Sequence, residues 1–431
     1  MLHHKKHPYK KSWFSRHKLF SFLMIALLAI ILFTIGRILF VNWSNSNFQK
    51  NIASFYDIPS PLPSTTPGYL IRSEQMTNVI VPGGGTAYRI LYVSQKPDNT
   101  PTVSSGIIYV PSTPAPAGGR KVVSWAHGTL GFGDNCTPSR NPAGPLNDTD
   151  NWLGEMMQQG WVVTATDYTG LGTPGDPYYL IGSSEAHDVI NAVRAARNMP
   201  VASVGTAFAV WGHSQGGHSA LFTAQLAKSY APELKLVGAA TAAPAAELGA
   251  LFTQQYNQII SWGIGPDAAL SWPQVYPGLP LNGILSAAAE RNYKTMAYGC
   301  VQKELADIEL HNTLGQQFFA TNPMTNKAWY AATTEQTPNT KLSTVPIYVA
   351  QGLADVVVLP NTTALLVQNS CQAGVNITVN WMGGISHTQA ATTSGPAVVG
   401  WLSDRFNNIP AVSNCSQPLP ISPANAPMAP N

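Results

Sequence analysis

The chain has 431 residues, 45% hydrophobic and only 10% charged, with 34 prolines. Its formal charge of +3 misleads, because residues 1–41 hold seven basic residues (Lys5, Lys6, Lys10, Lys11, Arg16, Lys18, Arg37) and no acid, leaving 24 − 7 = 17 basic against 21 acidic residues, a net of −4, in the rest. That balance excludes a basic nucleic-acid surface and fits an exported, loop-rich protein of one large domain with an insertion, or of two domains.

Residues 1–18 are a basic N-terminal segment. They lead into residues 19–41, an almost unbroken apolar run interrupted by Arg37. Such a run is close to the roughly 20 residues that span a bilayer as a helix. Positive charge before it predicts an N-in, C-out orientation. It is long for a signal-peptide core and no Ala-x-Ala site follows, so a transmembrane signal-anchor is expected, with a cleaved signal peptide as the alternative. The protein is therefore expected outside the cytoplasm, membrane-anchored or secreted. Residues 42–68 are polar and Pro/Ser-rich and read as a linker.

From residue 69 the pattern is that of an α/β core. Tyr88–Ser94 and Gly106–Val110 read as an antiparallel pair, with Gly83–Gly85 as a turn before it. That triplet lacks the Gly-Lys-Ser/Thr ending of a phosphate loop, which argues against nucleotide binding. Lys121–Ala126 reads as a strand, Asn151–Gln159 as a helix and Trp161–Thr166 as a strand. Ser184–Asn198 is an amphipathic helix with Val189, Ala192, Val193 and Ala196 on one face. Thr206–Trp211 is a buried strand, His218–Tyr230 a helix and Lys235–Ala240 a strand. This alternation predicts a mostly parallel sheet with helices on both faces. It breaks over 245–343, a stretch rich in aromatics, Gln, Asn and Pro that reads as an inserted, mainly helical cap. It resumes over 344–415 with strands at Pro346–Gln351 and Ile377–Trp381 and helices near Thr362–Gln372 and Pro396–Phe406. Residues 416–431 are a Pro-rich tail.

Between the strand ending at Trp211 and the helix that follows stands Gly212-His213-Ser214-Gln215-Gly216-Gly217. A serine between glycines at a strand-to-helix turn is the pattern of a nucleophile elbow. The turn is so tight that the serine backbone is strained and flanking side chains would collide. A serine hydroxyl needs a histidine to take its proton and a carboxylate to hold that histidine. On this type of sheet the order along the chain is Ser, acid, His. Among the histidines after Ser214, His218 reads as a helix-surface or packing residue and His311, in the cap, as a helix-surface residue. His387, in Gly383-Gly384-Ile385-Ser386-His387, follows the last strand and is the expected base. Asp355, directly after the strand at Pro346–Gln351, is the expected acid. Asp267 and Asp307 fall in the cap, Asp404 in the last helix, and Asp167 precedes the serine, where it reads as shaping a rim loop. For the oxyanion, the backbone N–H of Gln215 is one expected donor. The N–H of Thr129, in the His127-Gly128-Thr129 loop after the strand at Lys121–Ala126, is the other. His127 reads as structural.

Four cysteines, Cys136, Cys300, Cys371 and Cys415, favour two disulfides in an exported chain, and their spacing is not that of a zinc site. On the residues alone all three pairings are open.

With Ser214, Asp355, His387 and the His-Gly loop, the chain resembles the α/β-hydrolases. More narrowly it is similar to the secretory lipase family that includes the fungal lipase A type. The similarity is carried from about residue 60 to 415 by Ser124-Trp125-Ala126-His127-Gly128-Thr129, Cys136-Thr137-Pro138-Ser139, Asp167-Tyr168-Thr169-Gly170-Leu171-Gly172, Val193-Arg194-Ala195-Ala196-Arg197 and the elbow. Thr137 stands where alanine is expected, and the long basic leader is not typical of freely secreted members. The resemblance implies hydrolysis of carboxylic esters, typically acylglycerols, with no metal or organic cofactor, and a mainly helical cap over the site. It also implies the pairs Cys136–Cys300 and Cys371–Cys415. A peptidase or an acyltransferase could use the same triad. A non-catalytic membrane-anchored binding protein is the alternative of another class. The cap aromatics Phe252, Tyr256, Trp262, Trp272, Tyr276, Phe318, Phe319 and Trp329 fit either an acyl pocket or the cap's own core.

Overall fold

The chain, described as a computed structural model, is defined over residues 18–142, 149 and 151–430. Apart from Lys18, the basic N-terminal segment lies outside the described residues. Two compact units are present, one ending at Ser54 and the other running from Phe55 onward.

The first unit contains helix α1, Lys18–Ile52. Phe22, Ile25, Leu32 and Phe33 stand exposed on it. Among the described residues no helix is long and apolar enough to cross a membrane, so the anchor expected over 19–41 gains no support there. The expected linker 42–68 also needs correcting. Residues 42–52 continue α1, and a 3-10 turn, Ala53–Tyr56, follows. Once a helix is nucleated each further residue adds a hydrogen bond at little cost, and the first proline after the apolar run is Pro59. The irregular connection begins only at Asp57.

The second unit is built on one sheet. Its strands are β1 (Leu70–Gln75), β2 (Gly85–Gln95), β3 (Pro101–Pro111), β4 (Arg120–Ala126), β5 (Val162–Thr166), β6 (Val204–His213), β7 (Lys235–Ala242), β8 (Ile347–Gly352) and β9 (Ile377–Met382). They lie in the order β1-β2-β3-β5-β4-β6-β7-β8-β9. β1, β2, β3 and β5 pair antiparallel, and from β5 through β4 to β9 every pairing is parallel. β4 is the switch point: the chain leaves it for β5 on one side and reaches β6 on the other. A crevice at the carboxyl ends of the strands follows from that topology.

The helices of this unit, in chain order, are α2 (Leu153–Gln158), α3 (Gly182–Arg197), α4 (Gln215–Tyr230), α5 (Leu248–Gln255), α6 (Ser261–Val275), α7 (Ala287–Ala297), α8 (Val301–Thr313), α9 (Lys327–Glu335), α10 (Pro360–Gln372) and α11 (Ala390–Phe406). Alternate strand residues face opposite layers. Val122, Val162 and Phe208 pack with Ile190 and Val193 of α3. Val123, Trp125, Val163 and Trp211 pack with Trp152 beside α2 and with Val398 and Leu402 of α11. Every residue of β5 is buried, as expected of a strand covered on both faces.

α5 to α9 fill the interval between β7 and β8, with one isolated bridge, Leu285 to Phe319, as the strand-like contact there. The chain enters this insertion beside the elbow, where Ala245 N–H donates to the Ser214 carbonyl at 3.1 Å. Phe252, Trp272, Phe319 and Trp329 contact one another at ring-centroid distances of 5.6 to 6.1 Å. Trp262 meets Phe318 at 5.2 Å. All six side chains are buried, so they are the core of the insertion and not the lining of an open pocket. Cys136 is bonded to Cys300, tying the loop after β4 to the start of α8. Cys371 is bonded to Cys415, tying the end of α10 to the tail.

Candidate active site

Ser214 caps α4 with φ 57° and ψ −116°, a conformation L-residues avoid. Its two flanking glycines make the turn possible. A Cβ on Gly212 would overlap the Gly216 carbonyl, and one on Gly216 would overlap the Ala126 carbonyl. The register aligns Ala126 with Gly212 and Gly212 with Thr241, so the elbow emerges at the carboxyl edge of the parallel sheet. The Ser214 amide is pinned to the Ala242 carbonyl at 3.0 Å.

Two loops from the same edge meet it. After β8, Asp355 is buried, and its Oδ1 accepts the N–H groups of Val357 at 2.8 Å and Val358 at 2.9 Å. Its Oδ2 lies 2.8 Å from Nδ1 of His387 and accepts from Gln351 Nε2 at 3.2 Å. After β9, His387 opens a 3-10 turn capped by Ser386 and Gln389. Its Nε2 lies 2.9 Å from Ser214 Oγ. His213 adds a grip that sequence reasoning missed, since its Nε2 donates to the His387 carbonyl at 3.0 Å.

Gln215 is the first residue of α4, where the N–H has no intrahelical acceptor and the helix dipole is positive. The His127-Gly128-Thr129 loop passes close by, a Cβ built on Gly128 falling 3.4 Å from Ser214 Cβ. Thr129 Oγ1 is 2.9 Å from Tyr179 Oη. The His127 ring leans on Tyr168, centroids 4.6 Å apart. Only a small void of about 10 Å³ lies beside Gln215, walled by Phe132, Tyr179, Ser184 and Asp188 among others.

Two histidines take buried positions, His218 as one of its two expected roles allows and His311 against its expected place on a helix surface. His218 is fully buried and pairs with Glu185. His311 stacks flat on Trp262, ring centroids 3.6 Å apart. Asp167 is buried too. It accepts from Ser105 Oγ at 2.6 Å and from the Ser139 amide at 3.0 Å, and bonds the Ser139 hydroxyl as well. Burial pushes its carboxyl up. Asp188 accepts from Thr169 N–H at 2.7 Å and Thr169 Oγ1 at 2.9 Å. Burial raises its carboxyl to about 7, with the nearby Glu185 adding to the effect. The signal for these acids is present in the sequence: Glu185 and Asp188 fall on the same helical stripe as Val189, Ala192, Val193 and Ala196. A charge on an apolar stripe is a buried charge that needs partners.

The model of the family described as secretory lipase matches residues 149–414, more than half of the chain. A secreted triacylglycerol lipase of Malassezia globosa is 27% identical over 403 residues, covering 86% of this chain and 82% of that protein. A Mycobacterium tuberculosis protein named a probable inactive lipase is 23% identical over 376 residues, covering 83% and 82%. The crystal structure of Candida antarctica lipase A in its closed state superposes with a TM-score of 0.68 at 18% identity, over 86% of this chain and 90% of that one. Fold and relatives together define an α/β-hydrolase and a carboxylic ester hydrolase. The chain belongs to the secretory lipase family. That membership and its two disulfides make it an exported protein.

Proposed function

We propose that the protein is a lipase that cleaves carboxylic esters, acylglycerols among them, through an acyl-enzyme on Ser214. His387 Nε2 takes the Ser214 proton as Oγ attacks the acyl carbonyl, then gives it to the departing alcohol. Water next attacks the acyl-enzyme, again giving its proton to His387, which returns it to Ser214 as the carboxylic acid leaves. Asp355 holds the imidazole in the tautomer that leaves Nε2 free to accept. The N–H groups of Gln215 and Thr129 receive the oxyanion. The observation that carries this reading is the unbroken line from Asp355 Oδ2 to His387 Nδ1 at 2.8 Å and from His387 Nε2 to Ser214 Oγ at 2.9 Å.

The test is Ser214→Ala, assayed on short p-nitrophenyl esters and on triolein. The expected result is no turnover of either with an unchanged melting curve. A fluorophosphonate should label the unaltered protein at Ser214. Full activity of the variant, or turnover of a peptide amide but no ester, sinks the proposal. The exposed apolar side chains of α1 favour a further reading, that this helix meets a membrane during or after export. Sequencing the N-terminus of the exported protein decides it: a start beyond residue 41 means α1 was a leader and not a tether.

A further inference from the structure

A second acid–histidine pair lies under Ser214 and takes no part in the proton transfers described above. Glu185 on α3 and His218 on α4 are 1% and 0% exposed. Glu185 Oε1 accepts from the Leu180 amide at 2.9 Å and from the side-chain Nε2 of Gln215 at 2.8 Å. Its Oε2 accepts from Ser219 Oγ at 2.9 Å and lies 2.8 Å from His218 Nδ1. The other ring nitrogen, Nε2, lies 2.9 Å from the backbone carbonyl of Gln336, just beyond α9 at the far end of the insertion. A carbonyl can only accept, so Nε2 carries a proton. One further proton is then shared between Nδ1 and Glu185, as an ion pair or as a neutral acid facing a neutral ring. Gln336 closes the circuit, its Oε1 accepting the Gly182 amide of α3 at 2.7 Å.

We infer that Glu185 is a positioning residue for the reaction. It clamps the Gln215 side chain and His218, so the first turn of α4 is held at both its leading residue and its inner face. The backbone N–H of Gln215 is thereby fixed in direction, and that direction matters most in the transition state, where the oxyanion forms. Through His218 and Gln336 the same clamp joins the elbow to the end of α9 in the insertion. The inference rests on the reading of Ser214 as nucleophile and Gln215 N–H as oxyanion donor.

Glutamine is the conservative replacement. Its amide oxygen still accepts from Leu180 and Gln215, and its NH2 donates to an unprotonated Nδ1. Ser219 can turn its hydroxyl to the Gln215 carbonyl, 3.1 Å away. Alanine at 185 removes every one of these contacts. The experiment measures kcat and KM on a p-nitrophenyl ester and the rate of fluorophosphonate labelling, alongside melting temperature, for the full chain and its Glu185→Ala and Glu185→Gln variants. Glu185→Ala is expected to lose about 10- to 100-fold in kcat, with KM within about twofold and labelling slowed in parallel. Glu185→Gln is expected to regain all but a few-fold. A folded Glu185→Ala with unchanged kcat, a loss confined to KM, or a folded Glu185→Gln as impaired as Glu185→Ala overturns the inference. If Glu185→Ala does not fold, Gln215→Ala decides, because it keeps the backbone N–H and cuts only its tether: a fall in kcat at constant KM supports the clamp, and unchanged kcat overturns it. Absence of labelling at Ser214 in the unaltered protein would instead remove the nucleophile reading itself.

Discussion

Asp355 divides its carboxylate between two tasks: one oxygen meets His387 Nδ1 at 2.8 Å and the other is held by the N–H groups of Val357 and Val358. The carboxylate therefore cannot rotate away from the imidazole without losing two main-chain hydrogen bonds. Asp355→Asn tests this. An amide keeping its oxygen on Val357 and Val358 must turn NH2 toward Nδ1. It also sets two donors facing each other, since Gln351 Nε2 lies 3.2 Å from the same atom. Nδ1 then accepts, Nε2 carries the proton, and His387 cannot take one from Ser214. The expected loss in kcat is on the order of 10⁴-fold, with little change in melting temperature. Steady-state kinetics on a p-nitrophenyl ester measures it, and a variant within tenfold of the parent contradicts the role given to Asp355.

Gly216→Ala is expected to cost stability as well as activity. The added methyl would overlap the Ala126 carbonyl, which belongs to β4 and cannot swing aside. Overpacking of a close-packed site costs about 1–3 kcal/mol, and a rigid backbone obstacle sits at the upper end. A thermal melt monitored by circular dichroism should show a clear downward shift. An unchanged midpoint would mean that the elbow is looser than its geometry says.

Asp188 gives a pH signature. Its carboxyl is raised from 3.8 to about 7 by burial. Between those values the folded chain holds a proton that the unfolded chain has lost. Stability from this group is therefore full below about pH 4, falls as pH rises towards 7, and changes no further above that. Asp188→Asn mimics the protonated form and does not titrate. The fall in melting temperature from pH 5 to pH 8 should thus be larger for the unaltered protein than for Asp188→Asn. Two parallel curves would show that Asp188 is ionised in the fold.

The Cys136–Cys300 bond closes a loop 164 residues long. A cross-link of that span stabilises by limiting the unfolded chain, typically by about 2–4 kcal/mol. The double change Cys136→Ser with Cys300→Ser should lower the melting temperature and raise proteolysis within 245–343 first. Cleavage that begins elsewhere would place the weak point outside the insertion.

The core sheet is legible in the sequence because its strands are buried on both faces and its helices carry apolar stripes. Asp355 and His387 are legible because a parallel sheet puts all its strand ends on one edge, in a fixed chain order. β1 is not, because Arg72, Ser73, Glu74 and Gln75 show no apolar alternation, and this edge strand takes its form from the ladder with β2. The helical course of residues 42–52 is not, because their composition is polar and only the helix before them carries them along. The Glu185–His218–Gln336 chain is not either. Its links span 33 and 118 positions, and no local spacing announces contacts of that range. His213 hides for another reason: its neighbours are set by the loop after β9, not by its own strand.

The insertion leaves the sheet right after β7, with Ala245 bonded to the Ser214 carbonyl, and comes back at β8 just ahead of Asp355. Splice points of this kind make residues 248–335 an exchangeable cassette. Gln336, just outside it, meets His218 through its main-chain carbonyl and the Gly182 amide through its side chain, so the clamp does not depend on what the cassette contains. An exchanged segment would leave the atoms assigned to bond cleavage where they are, provided it kept a cysteine at 300 for its partner and the hydrogen bonds that Gln255 and Trp272 give to the Val356 and Tyr179 carbonyls. Diversity in such a lineage should accumulate between the two splices far faster than at the sheet edge that serves them.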